Sequence, residues 1–230
     1  MLLSLPDPLN ITRVRLGEEP VEILKLSNIF KAPEAQINAA AGARFEQINP
    51  HYPGLRAPVS DALLHELCCL VGTLLSGQEG DTKTTWEGQA WYSIVTRKPQ
   101  DLTPIQRLPH FDGFDPDQVA IMIYLGHSGH GGTAFFRQAA TGYERITEAR
   151  YPAYKNALES SIARTGLPAA NYISDGAPHF HLLGASKPDF NSLILYPGNA
   201  LHSGVIANDQ PLPADPKTGR LTLNGFFRPG

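Results

Sequence analysis

The chain has little of the three things that most simply organise a protein: cysteine, charge of one sign, and long apolar runs. Its two cysteines in 230 residues are the neighbours Cys68 and Cys69. On the helix their surroundings predict they point about 100° apart, so they cannot staple the fold. Nineteen lysines and arginines stand against 22 aspartates and glutamates, a formal net charge of −3. With no long charge run, there is no electrostatic footprint for nucleic acid or anionic lipid. The longest apolar runs fall short of the roughly 18 residues that cross a bilayer, so no membrane partner is expected. The opening MLLSLPDP has no basic segment and is broken by Pro6 and Pro8. No signal peptide is therefore expected, and a cytoplasmic compartment is the default.

A hydrophobic share of 42% against 18% charged residues marks a folded rather than a disordered chain. The length predicts one domain with long excursions over residues 1–230. The 21 glycines and 20 prolines, about one and a half times the average share, argue for many turns and against a helical bundle. Residues 11–17 and 21–30 read as short strands, and 32–42 as a helix. In 59–75 the spacing of Leu63, Leu67, Leu70, Val71 and Leu74 predicts one helix face, with Ser60 as N-cap. From residue 90 the texture turns to short β-rich runs at 91–96, 119–125, 133–137, 192–196, 200–206 and 220–227, the pattern of a sandwich or jelly roll. Residues 142–166 interrupt them with helical composition apart from Pro152. The expected organisation is a support region over 1–90, then a β-core over 91–227 with an insertion at about 138–190.

The chemistry concentrates in three stretches. In RLPHFDGF at 107–114, an extended backbone would put His110 and Asp112 on one surface and Phe111 on the other. That string alone reads more readily as a solvent-exposed turn. Downstream, LYPGNALHSG at 195–204 presents His202 after a Pro-Gly turn. Two imidazoles and a carboxylate would form a 2-His-1-carboxylate triad on non-haem Fe(II), which leaves positions open for a bidentate cosubstrate and O₂. A closed structural zinc site leaves none. In GRLTLNGFF at 219–227, Arg220 and Thr222 share a strand face, as an anchor for a dicarboxylate requires, with Arg228 as the alternative guanidinium.

The order HxD, a strand ending in YLG, GGTAFF, YPGNALHSG and RLTLNGFF resembles the Fe(II)/2-oxoglutarate-dependent dioxygenases, closest to their prolyl 4-hydroxylase-like branch. The resemblance covers roughly 90–227, and the YPGLR segment is compatible with the family's N-terminal support. It implies a mainly β (α+β) fold: a double-stranded β-helix, or jelly-roll, core with flanking N-terminal helices and a helical insertion. It further implies that His110, Asp112 and His202 ligate and activate the iron, and that Arg220 and Thr222 bind the far carboxylate of 2-oxoglutarate. Tyr124 matches a position near the cosubstrate and reads equally as a core tyrosine. Gly131, Gly132 and Thr133 match a GGxT turn, read as structural. The implied cofactors are Fe(II), 2-oxoglutarate and O₂, and the implied reaction is hydroxylation of a C–H bond in a peptide or small-molecule substrate. The carboxylate of Asp112 favours hydroxylation over halogenation, which needs a small residue there. The loop at 208–219 between His202 and Arg220 is longer than many members have.

Two further metal sets can be drawn, from His127 and His130 in GHSGHGG and from His179 and His181 in PHFH; both read better as structural. A calcium loop at Asp115 and Asp117 is argued against by Pro116 and by the lack of a glutamate at EF-hand spacing. His65 reads as a partly exposed helical residue. Trp86, Trp91 and Phe114 could line a substrate mouth or pack in the core. The competing functions are a metal-binding, cupin-like β-barrel that serves as a binding module, and a hydrolase or isomerase without 2-oxoglutarate chemistry.

Overall fold

The computed structural model describes residues 2–3, 10–76, 84–126, 129, 131–176 and 178–230. In chain order its elements are β1 (Thr12–Leu16), β2 (Val21–Ser27), α1 (Pro33–Ala41), β3 (Gly54–Pro58), α2 (Asp61–Ser76), β4 (Trp86–Val95) and β5 (Val119–Tyr124). They continue with β6 (Thr133–Gln138), α3 (Tyr151–Thr165), β7 (Phe180–Ala185), β8 (Ser192–Pro197), β9 (His202–Gly204) and β10 (Leu221–Pro229). Among the described residues, seven strands form an antiparallel sheet in the order β1-β2-β8-β5-β10-β4-β3, and three form a smaller one, β7-β6-β9. A bridge between His110 and His202 extends the small sheet beyond β9.

Alternation along the central strands divides the large sheet into two faces. Ile121 and Ile123 of β5, Leu193 and Leu195 of β8, and Leu221 and Leu223 of β10 point outward onto Leu63, Leu67, Leu70, Val71 and Leu74 of α2. This is the helix face that the sequence spacing predicts. Ser60 accepts a hydrogen bond from the Leu63 N–H, as expected of its cap. Leu70 is 1% exposed, so Leu70→Ala should cost about 2–5 kcal/mol, read as a lower denaturant midpoint at unchanged slope.

The opposite face turns Ala120, Met122, Tyr124, Ile194 and Tyr196 toward Phe135 and Ala200 of the small-sheet layer. Polar residues enter this second interface, and it carries the candidate site. A third cluster, with Phe136, Ile146, Tyr154 and Phe180, seats α3 on the far side of the small sheet. One device has no sequence signal. Buried Glu144 accepts the N–H groups of Glu18 and Glu19 and pairs with Arg137, tying the β1–β2 turn to β6. Gly17 sits at φ +78°, where a Cβ would lie 2.0 Å from the Glu144 carboxylate.

Several boundaries differ from expectation. Residues 107–114 are no regular strand: Arg107 closes a 3₁₀ turn and His110 makes a single bridge. The helix expected over 142–166 starts at Tyr151, because Pro152 fits only the first turn. Residues 180–185, inside the stretch expected as an insertion, form β7 and pair with β6. The strand expected over 200–206 shortens to β9. No helix among the described residues is long and apolar enough to cross a membrane.

Candidate metal centre

His202 opens β9 and exchanges both backbone hydrogen bonds with His110, each 2.8 Å. Directly paired residues share a face, so the two imidazoles meet with ring centroids 4.3 Å apart. Asp112 donates its N–H to the Gly198 carbonyl at 2.7 Å and returns its side chain to the same face. Phe111 turns the other way, into a cluster with Phe114, Tyr151 and Tyr154. Ligand atoms of His110, Asp112 and His202 all lie within 4.8 Å of one another.

These contacts are not ordinary hydrogen bonds. His110 Nε2 is 3.9 Å from Asp112 Oδ1, and His202 Nε2 is 3.6 Å from Oδ2, both beyond hydrogen-bond length. Asp112 Oδ2 is buried with no hydrogen-bond partner. His202 Nδ1 donates to the Ala200 carbonyl at 2.9 Å, which fixes the tautomer and leaves the Nε2 lone pair facing the carboxylate. Burial raises the Asp112 pKa, opposed by His202 and Arg56. Desolvation on its inner side, then His202, Arg56 and His51, lower the His110 pKa, and the outer half of the side chain stays exposed. It is a free base at neutrality, the form that ligates. Two nitrogen lone pairs and a carboxylate converging on one gap could hold a divalent transition-metal ion.

Metal-free protein should therefore resent the Asp112 charge. Asp112→Asn, whose amide can donate to His202 Nε2, should raise the melting temperature of metal-free protein by a few degrees, about 1 kcal/mol. It should also cancel the rise that Co(II) or Zn(II) gives the wild type. Thermal melts with and without metal check both halves.

Across the interior, Arg56, Ser93, Thr222 and Tyr124 stand opposite one another on β3, β4, β10 and β5. Arg220 precedes Thr222 by two residues and shares this face. It is 6% exposed, donates Nη2 to the carbonyls of Gly131 and Gly132 at 3.3 and 3.1 Å, and keeps a buried Nε with no partner. No carboxylate pairs with it among the described residues. Its Nη2 lies 3.5 Å from where a Cβ on Gly204 would stand, two residues past His202 on β9. The GGxT glycines thus do more than turn the chain, since their carbonyls hold this guanidinium.

The remaining expected residues sort as follows. The Tyr124 hydroxyl bonds to Thr133 and Ser186, each at 2.9 Å, and burial raises its pKa, so it stays neutral. The Thr222 hydroxyl donates to Asn224 Oδ1 at 2.8 Å. Arg228 pairs with Glu87 at the surface with 65% of its side chain exposed, away from the cluster. His179 is buried against Ser161 and the Gly166 carbonyl, and His181 is exposed; they form no metal set. His127 and His130 lie outside the described residues. Asp115 accepts the Asp117 N–H in a local turn. His65 Nε2 lies 3.8 Å from Cys69 Sγ on the exposed side of α2. Trp91 faces Arg56 and Phe226, Trp86 packs toward α2, and Phe114 joins the Phe111 cluster.

Sequence reasoning missed Arg56, Tyr52 and Tyr196. Tyr196 places its ring 4.9 Å from that of His202, and burial pushes its pKa well above the usual tyrosine value. Its signal was available: it alternates with Leu195 onto the inner face, one strand from Tyr124.

No curated protein matches the sequence. HygX from Streptomyces hygroscopicus, with nickel, 2-oxoglutarate and hygromycin B bound, is 11% identical with a TM-score of 0.47, over 90% of this chain and 82% of that one. The non-heme alpha-ketoglutarate-dependent epimerase SnoN from nogalamycin biosynthesis is 11% identical with a TM-score of 0.49, over 90% and 78%. An N-substituted L-amino acid dioxygenase from Burkholderia ambifaria AMMD is 12% identical with a TM-score of 0.36, over 89% and 80%. A family model matches residues 7–227, so the chain belongs to DUF6445, a family of unknown function.

Proposed function

We propose that this chain is a non-haem Fe(II)- and 2-oxoglutarate-dependent oxygenase of the prolyl 4-hydroxylase-like kind, hydroxylating a C–H bond of a small-molecule or peptide substrate. The observation that carries this reading is a buried arginine, Arg220, with no carboxylate partner among the described residues, in the same interior as the His110, Asp112 and His202 cluster. A lone cation there is costly unless a ligand supplies the anion. A metal hydrolase, or a module that binds no anion, leaves the Arg220 charge unanswered, since the Gly131 and Gly132 carbonyls accept its hydrogen bonds but bring no charge.

The fold supports the reading. From β4 onward the chain visits the large sheet, the small sheet at His110, the large sheet at β5, the small sheet at β6 and β7, then β8, β9 and β10 in alternation. That route is what a double-stranded β-helix requires.

His110, Asp112 and His202 would hold the metal, and their orphaned lone pairs fit it. Fe(II) with 2-oxoglutarate and O₂ supplies oxidative decarboxylation to succinate and CO₂, coupled to oxygen insertion into a substrate C–H bond. Arg220 orients the cosubstrate by its distal carboxylate, with its own direction fixed by the Gly131 and Gly132 carbonyls. Tyr124, neutral and tied to Thr133 and Ser186, walls the same end without adding charge. The Ala200 carbonyl keeps His202 in the ligating tautomer. Incubation with Fe(II), ascorbate and 2-oxoglutarate in air should release succinate, and His110→Ala should release none; succinate yields equal in the two would remove this reading.

A further inference from the structure

Arg56 is a second guanidinium in this interior, and the oxygenase reading leaves it unused. Its β3 register sets it opposite Ser93, and Ser93 opposite Thr222, so it stands on the same face as the cosubstrate wall. The guanidinium lies 4.3 Å from the Tyr52 ring centroid and 5.4 Å from that of Trp91. Among the described residues no carboxylate pairs with it, and its Nε is buried without a hydrogen-bond partner. The Tyr52 and Ser93 hydroxyls are buried side by side, with no hydrogen-bond partner but each other. One half-buried cation and two hydroxyls are thus gathered on one face with no anion against them among the described residues. Arg56 also interacts electrostatically with Asp112 and His110, which places it on the metal side of the interior.

We propose that Arg56 anchors a carboxylate carried by the substrate, with Tyr52 and Ser93 as hydroxyl donors and Tyr52 and Trp91 as the walls around it. The inference rests on the oxygenase reading for the word substrate, since it names the substrate's class. A planar fork held by two rings matches a planar monoanion. With Arg220 committed elsewhere, the one guanidinium here balances the single charge of a carboxylate and would leave a phosphate dianion half-compensated. The carboxylate at Arg56 would hold the rest of the substrate over the His110, Asp112 and His202 cluster.

The test uses Mn(II)-loaded protein saturated with 2-oxoglutarate, which binds without turnover, and two probe pairs: phenylacetate with phenylacetamide, and benzoate with benzamide. Tryptophan fluorescence reads binding, because Trp91 borders the site. The wild type should bind each acid at least tenfold more tightly than its amide, a comparison that needs no variant. Arg56→Gln should erase the gap, Arg56→Lys should keep part of it, and both should hold 2-oxoglutarate within about threefold of wild type. No acid–amide gap in the wild type, or a gap that survives Arg56→Gln, overturns the proposal. So does loss of 2-oxoglutarate in Arg56→Gln with retention in Arg220→Gln, which would make Arg56 the cosubstrate anchor. An Arg56-dependent gap in protein that binds no 2-oxoglutarate sinks the oxygenase reading and leaves the carboxylate site standing.

Discussion

His202→Ala should weaken Co(II) or Mn(II) binding by more than about 100-fold, since even partners that only orient a ligand are worth 10–100-fold. His202 supplies a nitrogen that Ala200 has already aimed, and its backbone holds His110 in register. The alanine variant keeps that backbone pairing, so lost affinity reports the missing lone pair rather than a displaced His110. His179→Ala is the control. That histidine is buried but bonded to Ser161 and the Gly166 carbonyl, so its loss should lower the melting temperature and leave metal affinity within about twofold. Calorimetric titration of the two variants separates the cases, and equal metal affinity in His202→Ala and wild type would remove the cluster from consideration.

Arg220→Gln carries the second large effect. Among the described residues the surroundings of Arg220 provide carbonyl acceptors but no carboxylate, so on the proposed reading a bound dicarboxylate would supply its counter-charge. Losing a charge-assisted pair in a desolvated site costs about 2–3 kcal/mol, or on the order of 100-fold in 2-oxoglutarate affinity. Arg220→Lys should recover only part of it, because an ammonium cannot fork. Arg228→Gln should change nothing measurable, since an exposed pair with Glu87 is worth less than about 1 kcal/mol. An Arg228 variant that lost 2-oxoglutarate while Arg220→Gln kept it would reverse the assignment. Displacement of 2-oxoglutarate from Mn(II)-loaded protein measures all three.

The legible parts of this chain are those encoded by local alternation. The α2 face and the strands β4, β5, β6, β8 and β10 follow from side-chain period alone. What the sequence hid depends on pairing between distant segments. His110 and Asp112 stand on one face because the bridge to His202 and the Gly198 contact hold them there, not because 107–114 is a strand. Arg56 sits in a stretch whose Pro53 and Gly54 read as a turn, and only edge pairing of β3 with β4 turns its side chain into the interior. Glu144 is a charged residue in a loop whose burial is set by Arg137 and the β1–β2 turn. β7 escaped because its outer side is exposed and its alternation is weak.

The most direct test of the central claim is an anaerobic titration of metal-free protein with Fe(II) and then 2-oxoglutarate, followed by visible absorption. The account predicts a weak charge-transfer band on adding 2-oxoglutarate. The band should be absent in His110→Ala and appear in Arg220→Gln only at far higher 2-oxoglutarate. Fe(II) bound tightly with no band at any 2-oxoglutarate concentration would contradict it, leaving a metal-binding β-protein with a different task.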